Sequence, residues 1–336
     1  MQEYFKLSSR RYLGAKRRLL PFIKQIVSHH TSNVNSVADL FAGTGEVSDL
    51  FAKQGKKVIV NDILHCNYTI YQAFFGNEDY DKAKLLSTIA RLNSLTGTNS
   101  YLVNAYGGTY FTKENANMIG LAREWVENNR LMYTPREKAI LITSILYAAD
   151  KVSNTFGHYD AYRKALTQTT PIWFKMPIIH NYQHMSLYKE DANQLARKIK
   201  ADLVYIDPPY NGRQYVDNYH VLENITDWQK PEVFGVTRKF ANRESRKSKY
   251  STVNAPKAFA DLISHLDTHY ILVSFNNMEH KASERASSKI SQKQLIATLQ
   301  TRGKVEVYAH DFPAYTTGKS KIQDNQELLY LVKVIR

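Results

Sequence analysis

The sequence predicts an α/β fold: a mostly parallel sheet with helices on both faces, plus a largely helical insertion. Two observations support this prediction. The segments SVADLF (36–41), KKVIVND (56–62) and ADLVYID (201–207) are apolar without strict alternation, which is typical of parallel strands covered on both faces. Between residues 71 and 185 the apolar residues recur instead at helical spacing. The chain therefore predicts a sheet interrupted by a helical unit.

Three later segments predict the rest of the sheet: HYILVSFNN (269–277), KVEVYAH (304–310) and ELLYLVKVI (327–335). In the insertion, helices are predicted for the runs that begin DKAKLL, KENANM and PREKAI. Pro135 suits the first position of the last of these helices and Glu137 its first turn. We predict one domain from residues 1–70 and 186–336, and an insertion over 71–185.

Composition narrows the classes of function. The 336 residues are 43% hydrophobic, with 45 Lys and Arg against 31 Asp and Glu, a formal charge of +14. This charge predicts salt-dependent binding of a polyanion such as nucleic acid, although solubility alone would also explain it. The single cysteine, Cys66, allows no internal disulfide, and no apolar run could span a bilayer. We therefore expect a cytoplasmic protein. We also expect no bound metal, because the histidines are not spaced as metal ligands.

A strongly basic segment covers residues 236–257 and contains one acid, Glu244. Its position after the proline-containing loop described below favours contact with nucleic acid phosphates over a mobile solvated loop. The predicted nucleic-acid-binding residues are Arg238, Lys239, Arg243, Arg246, Lys247 and Lys249.

A glycine loop follows the first predicted sheet strand, in VADLFAGTGEVS (37–48). Gly43 and Gly45 would let the backbone approach a ligand and turn into a helix. A dinucleotide fingerprint would place a third glycine or alanine where this chain has Ser48, so a nicotinamide cofactor is disfavoured.

Acidic and aromatic residues surround this loop. Asp39, Phe41 and Ala42 precede it, and Asp62 ends the next strand. In a nucleoside-binding α/β fold an acid at that position can accept hydrogen bonds from both ribose hydroxyls. An ordinary turn with Asp62 capping a helix is the alternative.

The stretch DLVYIDPPYNGRQY (202–215) runs from a strand into an acid, two prolines and a tyrosine. Pro208 and Pro209 fix φ twice and remove two backbone donors. The resulting stiff segment predicts that Asp207 and the neighbouring carbonyls are held in set directions.

Three motifs together carry a family resemblance. DLFAGTGEVS with VIVND resembles the S-adenosylmethionine loop of class I methyltransferases, and YIDPPYNGRQY resembles the catalytic loop of DNA amino-methyltransferases. RRYLGAKRRLLPFI (10–23) resembles the N-terminal cofactor motif, aromatic-x-Gly-x-Lys, of Dam-like adenine methyltransferases. The motif order is that of their alpha group. The resemblance implies a class I, Rossmann-like methyltransferase domain that uses S-adenosylmethionine.

The resemblance assigns catalytic roles to Asp207, Pro208, Pro209 and Tyr210. The amino nitrogen of adenine is a poor nucleophile because its lone pair is delocalised into the ring. If Asp207 and the Pro208 carbonyl each accept one N–H, the lone pair is freed for attack on a sulfonium methyl group. Pro209 stiffens the turn, and Tyr210 would stack on an adenine flipped out of the duplex.

The same resemblance assigns Tyr12, Gly14 and Lys16 to the cofactor, with Lys16 near its carboxylate. Asp62 would hold the ribose, and Asp191 would either reach the cofactor's adenine ring or cap the following helix.

The leading hypothesis is a site-specific adenine methyltransferase acting on double-stranded DNA, the modification enzyme of a restriction-modification system with a cognate endonuclease as functional partner. Target recognition is expected from the insertion and the basic segment. The alternatives are methylation of adenine in RNA, of a protein glutamine amide or of a cytosine amine, and a binding protein that has lost catalysis. Asp207 disfavours the RNA and protein substrates, whose enzymes usually have Asn at that position.

Overall fold

The computed structural model describes residues 4–276, 288–311 and 326–335. The strands in this part of the chain are β1 (Tyr4–Phe5), β2 (Ser36–Asp39), β3 (Lys57–Asn61), β4 (Met176–Pro177), β5 (Met185–Tyr188), β6 (Lys200–Ile206), β7 (Val233–Phe234), β8 (Lys239–Phe240), β9 (Asp267–Asn276), β10 (Val305–Asp311) and β11 (Gln326–Lys333). Seven of them form one sheet in the order β10-β11-β9-β6-β2-β3-β5.

Five strands of this sheet, β2, β3, β5, β6 and β9, are parallel, whereas β11 pairs antiparallel with both β9 and β10. The fold prediction and all six predicted strands are confirmed; the last residue of the predicted strand 269–277 lies outside the described residues. The sequence analysis missed β5, a four-residue edge strand in which only Met185 is buried.

The described helices are α1 (Leu20–His30), α2 (Glu46–Ala52), α3 (His65–Phe75), α4 (Lys82–Asn93), α5 (Ser100–Tyr106), α6 (Lys113–Asn128), α7 (Pro135–Val152), α8 (Ala192–Ala196), α9 (Tyr215–Asn218), α10 (His220–Asp227), α11 (Ala255–Ser264) and α12 (Gln292–Gln300). None of them combines the length and apolarity needed to cross a membrane.

Two hydrophobic cores cover the two faces of the sheet. Because successive strand residues point to opposite faces, Val37 and Leu203 join a core with α1, α2, α3 and the insertion. Ala38 and Val204 join a second core with α8, α11 and α12. This arrangement explains why the strands read as continuous apolar runs.

The three predicted insertion helices are confirmed as α4, α6 and α7. Helix α7 begins with a capping box in which Thr134 and Glu137 exchange side-chain-to-backbone hydrogen bonds. It packs against α3, which begins at His65 and runs past residue 71. The insertion thus shares a core with the sheet.

The order of the strands places a crevice at the carboxyl ends of β2 and β6. From β2 the chain moves outward to β3 and β5, and it then returns to the other side of β2 to form β6 and β9. Ligands of open α/β sheets bind where the strand order reverses in this way. Asp39, Asp62 and Asp207, at or just after the ends of β2, β3 and β6, therefore meet at one edge.

Candidate active site

The crevice opens into a cleft whose empty space, including the part open to solvent, is about 910 Å³. It is lined by residues from every motif singled out in the sequence. The predicted site residues found there are Tyr12, Gly14, Lys16, Asp39, Phe41, Ala42, Gly43, Asp62, Asp191, Asp207 and Pro209. Gly45, Pro208 and Tyr210 are not among the lining residues, and their roles remain predictions.

The glycine loop requires a left-handed backbone and close packing. Gly43 has φ +52°, and a Cβ at this position would lie 3.1 Å from the ring of Tyr12. Its N–H donates to Asp62 Oδ2 (3.0 Å), and its carbonyl accepts the Tyr71 hydroxyl (2.8 Å). Gly45 precedes α2 and sits against Phe75. The loop is therefore fixed from both sides, and the Tyr12 ring leaves little room for a side chain at position 43.

The Asp39 carboxyl group has one oxygen that could accept a hydrogen bond from a ligand. Its Oδ2 accepts the Ser48 hydroxyl at 2.8 Å, while Oδ1 is buried and has no hydrogen-bond partner among the described residues. Burial raises the pKa of Asp39 to about 7. Ser48, which occupies the place of the missing third glycine, thus orients this carboxyl group. An amino group entering the cleft would satisfy the remaining oxygen.

Asp62 accepts three hydrogen bonds, from the backbone N–H groups of Gly43 and Leu64 and from the Asn67 amide. Burial nevertheless raises its pKa to about 6. The carboxylate holds the glycine loop to the start of α3 and also faces the cleft. Its role in binding ribose remains a prediction.

The N-terminal motif is held by aromatic stacking. Tyr12 stacks on Tyr219 with ring centroids 4.5 Å apart and planes 5° apart, and Tyr215 lies 5.6 Å from Tyr12. The Arg10 guanidinium lies 4.9 Å from the Tyr12 ring centroid. Leu13 N–H donates to the Tyr219 hydroxyl at 2.7 Å. The sequence analysis missed Tyr215 and Tyr219; their i, i+4 spacing after the two prolines was the available signal.

Lys16 contacts the predicted catalytic acid. Its Nζ lies 3.1 Å from Asp207 Oδ1 and 3.8 Å from Glu327 Oε2. Burial raises the pKa of Asp207 to about 6, although the charge of Lys16 opposes this rise. The Lys16 side chain is only 7% exposed, so the ion pair lies in a poorly solvated site. Its contact with the cofactor carboxylate remains a prediction.

Pro208 and Pro209 lie in the turn that follows β6. Pro209 lines the cleft, whereas Pro208 is buried. Tyr210 packs on Phe275 at 5.0 Å between ring centroids, and its carbonyl accepts the Lys289 N–H at 2.7 Å. The turn is thus held by side-chain packing and by a backbone bond.

Comparison with known proteins identifies the family. Residues 12–286 match the model of the D12 class N6 adenine-specific DNA methyltransferases. The chain belongs to this family. The members of this family are described as methyltransferases specific for adenine N6 in DNA.

Named relatives agree with this assignment. Modification methylase StsI of Streptococcus sanguinis is 33% identical over 96% of the chain, and modification methylase LlaI of Lactococcus lactis subsp. lactis is 32% identical over 93%. The type II methyltransferase M.NlaIII of Neisseria lactamica is 32% identical over 79% of the chain and 83% of its own length. The chain spans about half the length of StsI and LlaI, 52% of each.

Asp191 caps a helix and also lines the cleft. Its Oδ1 accepts the N–H groups of Asn193 and Gln194 at the start of α8, so it caps that helix. It also lines the cleft, as does Phe41. The cap fixes the carboxylate at one end of the cleft, and contact with the cofactor's adenine remains a prediction.

The basic residues of the segment 236–257 have unequal environments. Lys239 pairs with Asp160 (2.7 Å) and Arg243 with Asp217 (2.5 Å). Further pairs join Arg246 to Glu223 and Asp227, and Lys247 to Glu244. Arg238 and Lys249 are exposed and form no ion pair within the described part of the chain. Their contact with nucleic acid remains a prediction.

Arg246 lines the cleft together with Ser248 and Tyr250, which the sequence analysis missed.

Among residues 4–276, 288–311 and 326–335, no three His, Cys, Asp or Glu side chains are grouped as a metal site.

The cleft carboxyl groups predict how stability depends on pH. In the unfolded chain Asp39, Asp62 and Asp207 ionise near 3.8, whereas in the folded protein their pKa values are about 7, 6 and 6. The folded state therefore binds more protons between these values, and the stability associated with them is lost as pH rises through the folded pKa values. The free energy of unfolding in urea should fall as the pH rises from about 4 to about 7, most steeply between about pH 4 and pH 6, and Asp39→Asn should make the fall smaller.

Asp267→Asn is the control, because Asp267 is exposed at the opposite end of the sheet. Equal pH slopes for Asp39→Asn and the parent chain would contradict the assignment of the raised pKa.

Proposed function

We propose that this chain is a site-specific DNA adenine methyltransferase that transfers a methyl group from S-adenosylmethionine to the amino nitrogen of a flipped-out adenine in double-stranded DNA. The observation that carries the proposal is the meeting of Asp207 and Pro209 with the Gly43 loop in one cleft. A nucleoside-binding loop and a paired hydrogen-bond acceptor are the two parts that this transfer requires.

Asp207 supplies the acceptor. Lys16 contacts its Oδ1, so we assign Oδ2 to one N–H of the adenine amino group and the Pro208 carbonyl to the other. The paired acceptors orient the nitrogen lone pair and stabilise the positive charge that develops on it. As the N–C bond forms and the C–S bond breaks, the nitrogen becomes acidic, and a carboxylate with a pKa of about 6 can take the released proton.

The residues beside Gly43 suit the methyl donor. S-adenosylmethionine supplies a methyl group already activated on a sulfonium sulfur. Asp62 lines the cleft, and we assign it to the ribose hydroxyls; the buried Oδ1 of Asp39, which has no hydrogen-bond partner among the described residues, suits the amino group of the methionine part. Phe41 lines the same cleft as Asp191 and offers an aromatic surface, which suits an adenine ring.

The DNA-facing surface follows from charge and position. Arg238 and Lys249 are exposed cations on the segment that continues into the cleft wall. We assign phosphate contacts to them and target recognition to the insertion at 71–185. Relatives named as modification methylases support a role in a restriction-modification system, with a cognate endonuclease acting on the same sequence.

Methyl transfer is tested with the Asp207→Ala variant. We expect the full chain with labelled S-adenosylmethionine and plasmid DNA to give N6-methyladenine at one recurring sequence. Asp207→Ala should lower the rate by at least about 10²-fold, because an oriented acceptor is lost. Its affinity for S-adenosylhomocysteine should change little.

The matched control is Asp267→Ala, an exposed carboxylate at the far end of the sheet. Methylated cytosine or RNA as the product would replace the proposed substrate, and full activity in Asp207→Ala would remove the mechanism.

Phosphate contact is tested by the salt dependence of DNA binding. Replacing both Arg238 and Lys249 with Ala should reduce the slope of log Kobs against log salt by about 1.8, because two phosphate contacts are lost. Lys304→Ala serves as the control, since Lys304 is an exposed cation next to β10, an edge strand of the sheet. An unchanged slope in the double variant would show that these cations do not contact DNA.

A further inference from the structure

Part of the basic segment forms a wall of the cleft. We call residues 243–251 the strap. Three residues of the strap line the cleft: Arg246, Ser248 and Tyr250. The Gly43 loop lines the same cleft, although most of the chain separates it from the strap in the sequence. Glu244 and Lys249 of the strap are instead exposed to solvent. One short segment thus has a cleft-facing side and a solvent-facing side.

Arg246 anchors the strap to α10. Its Nη1 lies 2.5 Å from Glu223 Oε2, and its Nη2 lies 2.6 Å from Asp227 Oδ2. Glu223 and Asp227 are four residues apart and therefore share one face of the helix. Glu223 is fully buried and also accepts the Cys66 N–H at 2.7 Å, while Asp227 contacts His65 at 2.5 Å. The anchor therefore reaches the start of α3, which begins shortly after Asp62 in the sequence.

Two further contacts fix the strap. Gln214 makes a paired amide contact with Ser248: its Nε2 donates to the Ser248 carbonyl (3.0 Å), and its Oε1 accepts the Ser248 N–H (2.7 Å). Tyr250 donates its hydroxyl to Asn193 Oδ1 (2.8 Å) and packs edge-on against Phe41 at 5.1 Å. The strap thereby joins the segment after the two prolines to the end of the cleft near Asp191.

The charges around Arg246 disfavour phosphate binding. Both terminal nitrogens of its guanidinium group are engaged by carboxylates, and the three charges sum to about −1 when all are ionised. A phosphate approaching Arg246 would meet a net negative cluster. Arg238 and Lys249 form no ion pair with the described residues, so no such carboxylate competes for them.

We propose that the strap is the outer wall of the methyl-donor pocket and that Arg246 is the positioning residue that holds this wall in place. The inference rests on the proposed function. Gln214 lies shortly after the turn that contains Asp207, Pro208 and Pro209. Through Gln214 the strap also fixes that turn relative to the bound S-adenosylmethionine. The basic segment therefore has two roles: the cations facing solvent bind DNA, and Arg246 shapes the donor site.

The test compares S-adenosylhomocysteine binding by calorimetry with DNA binding by fluorescence anisotropy, using the full chain. Arg246→Met should raise the Kd for S-adenosylhomocysteine roughly tenfold or more, because the buried pairs that hold the wall are lost. Arg246→Lys, which keeps the charge but not the two-pronged geometry, should restore part of this affinity. In steady-state assays the KM for the methyl donor should rise more than kcat falls.

Glu244→Gln is the matched control, because it removes an exposed strap charge and should leave donor binding unchanged. If Arg246→Met does not fold, Asp227→Asn, which weakens one of the two pairs, should give a smaller increase in the same Kd. If the Arg246 variants fold and bind S-adenosylhomocysteine with unchanged affinity, the strap proposal is wrong but the proposed function is not affected. A fall in DNA affinity in the same variants would contradict the strap proposal most directly. Absence of S-adenosylhomocysteine binding by the parent chain would overturn the proposed function and this inference with it.

Discussion

A buried ion pair between Lys16 and Asp207 joins the two ends of the site. It ties the N-terminal motif to the turn after β6, although these segments are far apart in the sequence. The stacking of Tyr12 on Tyr219 supports the same junction from the other side. With Lys16 on one carboxylate oxygen, the other oxygen has a defined direction, and the two prolines keep the neighbouring carbonyl in place. The proposed chemistry depends on this geometry.

The site has an energetic cost that the fold must offset elsewhere. Asp39, Asp62 and Asp207 are carboxyl groups buried at one edge of the sheet, and burial raises the pKa of each. Two continuous cores, one on each face of the sheet, supply apolar burial that can support such a cluster. Groups that destabilise the free protein and face one cleft are typical of a binding or catalytic site.

Local sequence patterns predicted the sheet and the residues at the carboxyl ends of its strands. A strand and the turn that follows it depend on neighbouring residues, here apolar runs followed by glycine, acid or proline. The four-residue β5 has too little apolar character to be recognised alone. Long-range pairing was not predictable: nothing near Lys16 indicates Asp207. A count of charges predicts Arg246 as a DNA contact, which stays a prediction, and it does not reveal the carboxylate partners of Arg246 on α10. Charge composition gives the sign of a surface but not which cations are already paired.

The most direct test of the central ion pair is an NMR titration of the Asp207 carboxyl carbon in the parent chain and in Lys16→Met. We predict a pKa of about 6 in the parent chain. Removal of the neighbouring positive charge should raise it further in Lys16→Met. A pKa near the ordinary value of 3.8 in the parent chain, unchanged by Lys16→Met, would contradict the account, because Asp207 would then be solvated and unpaired.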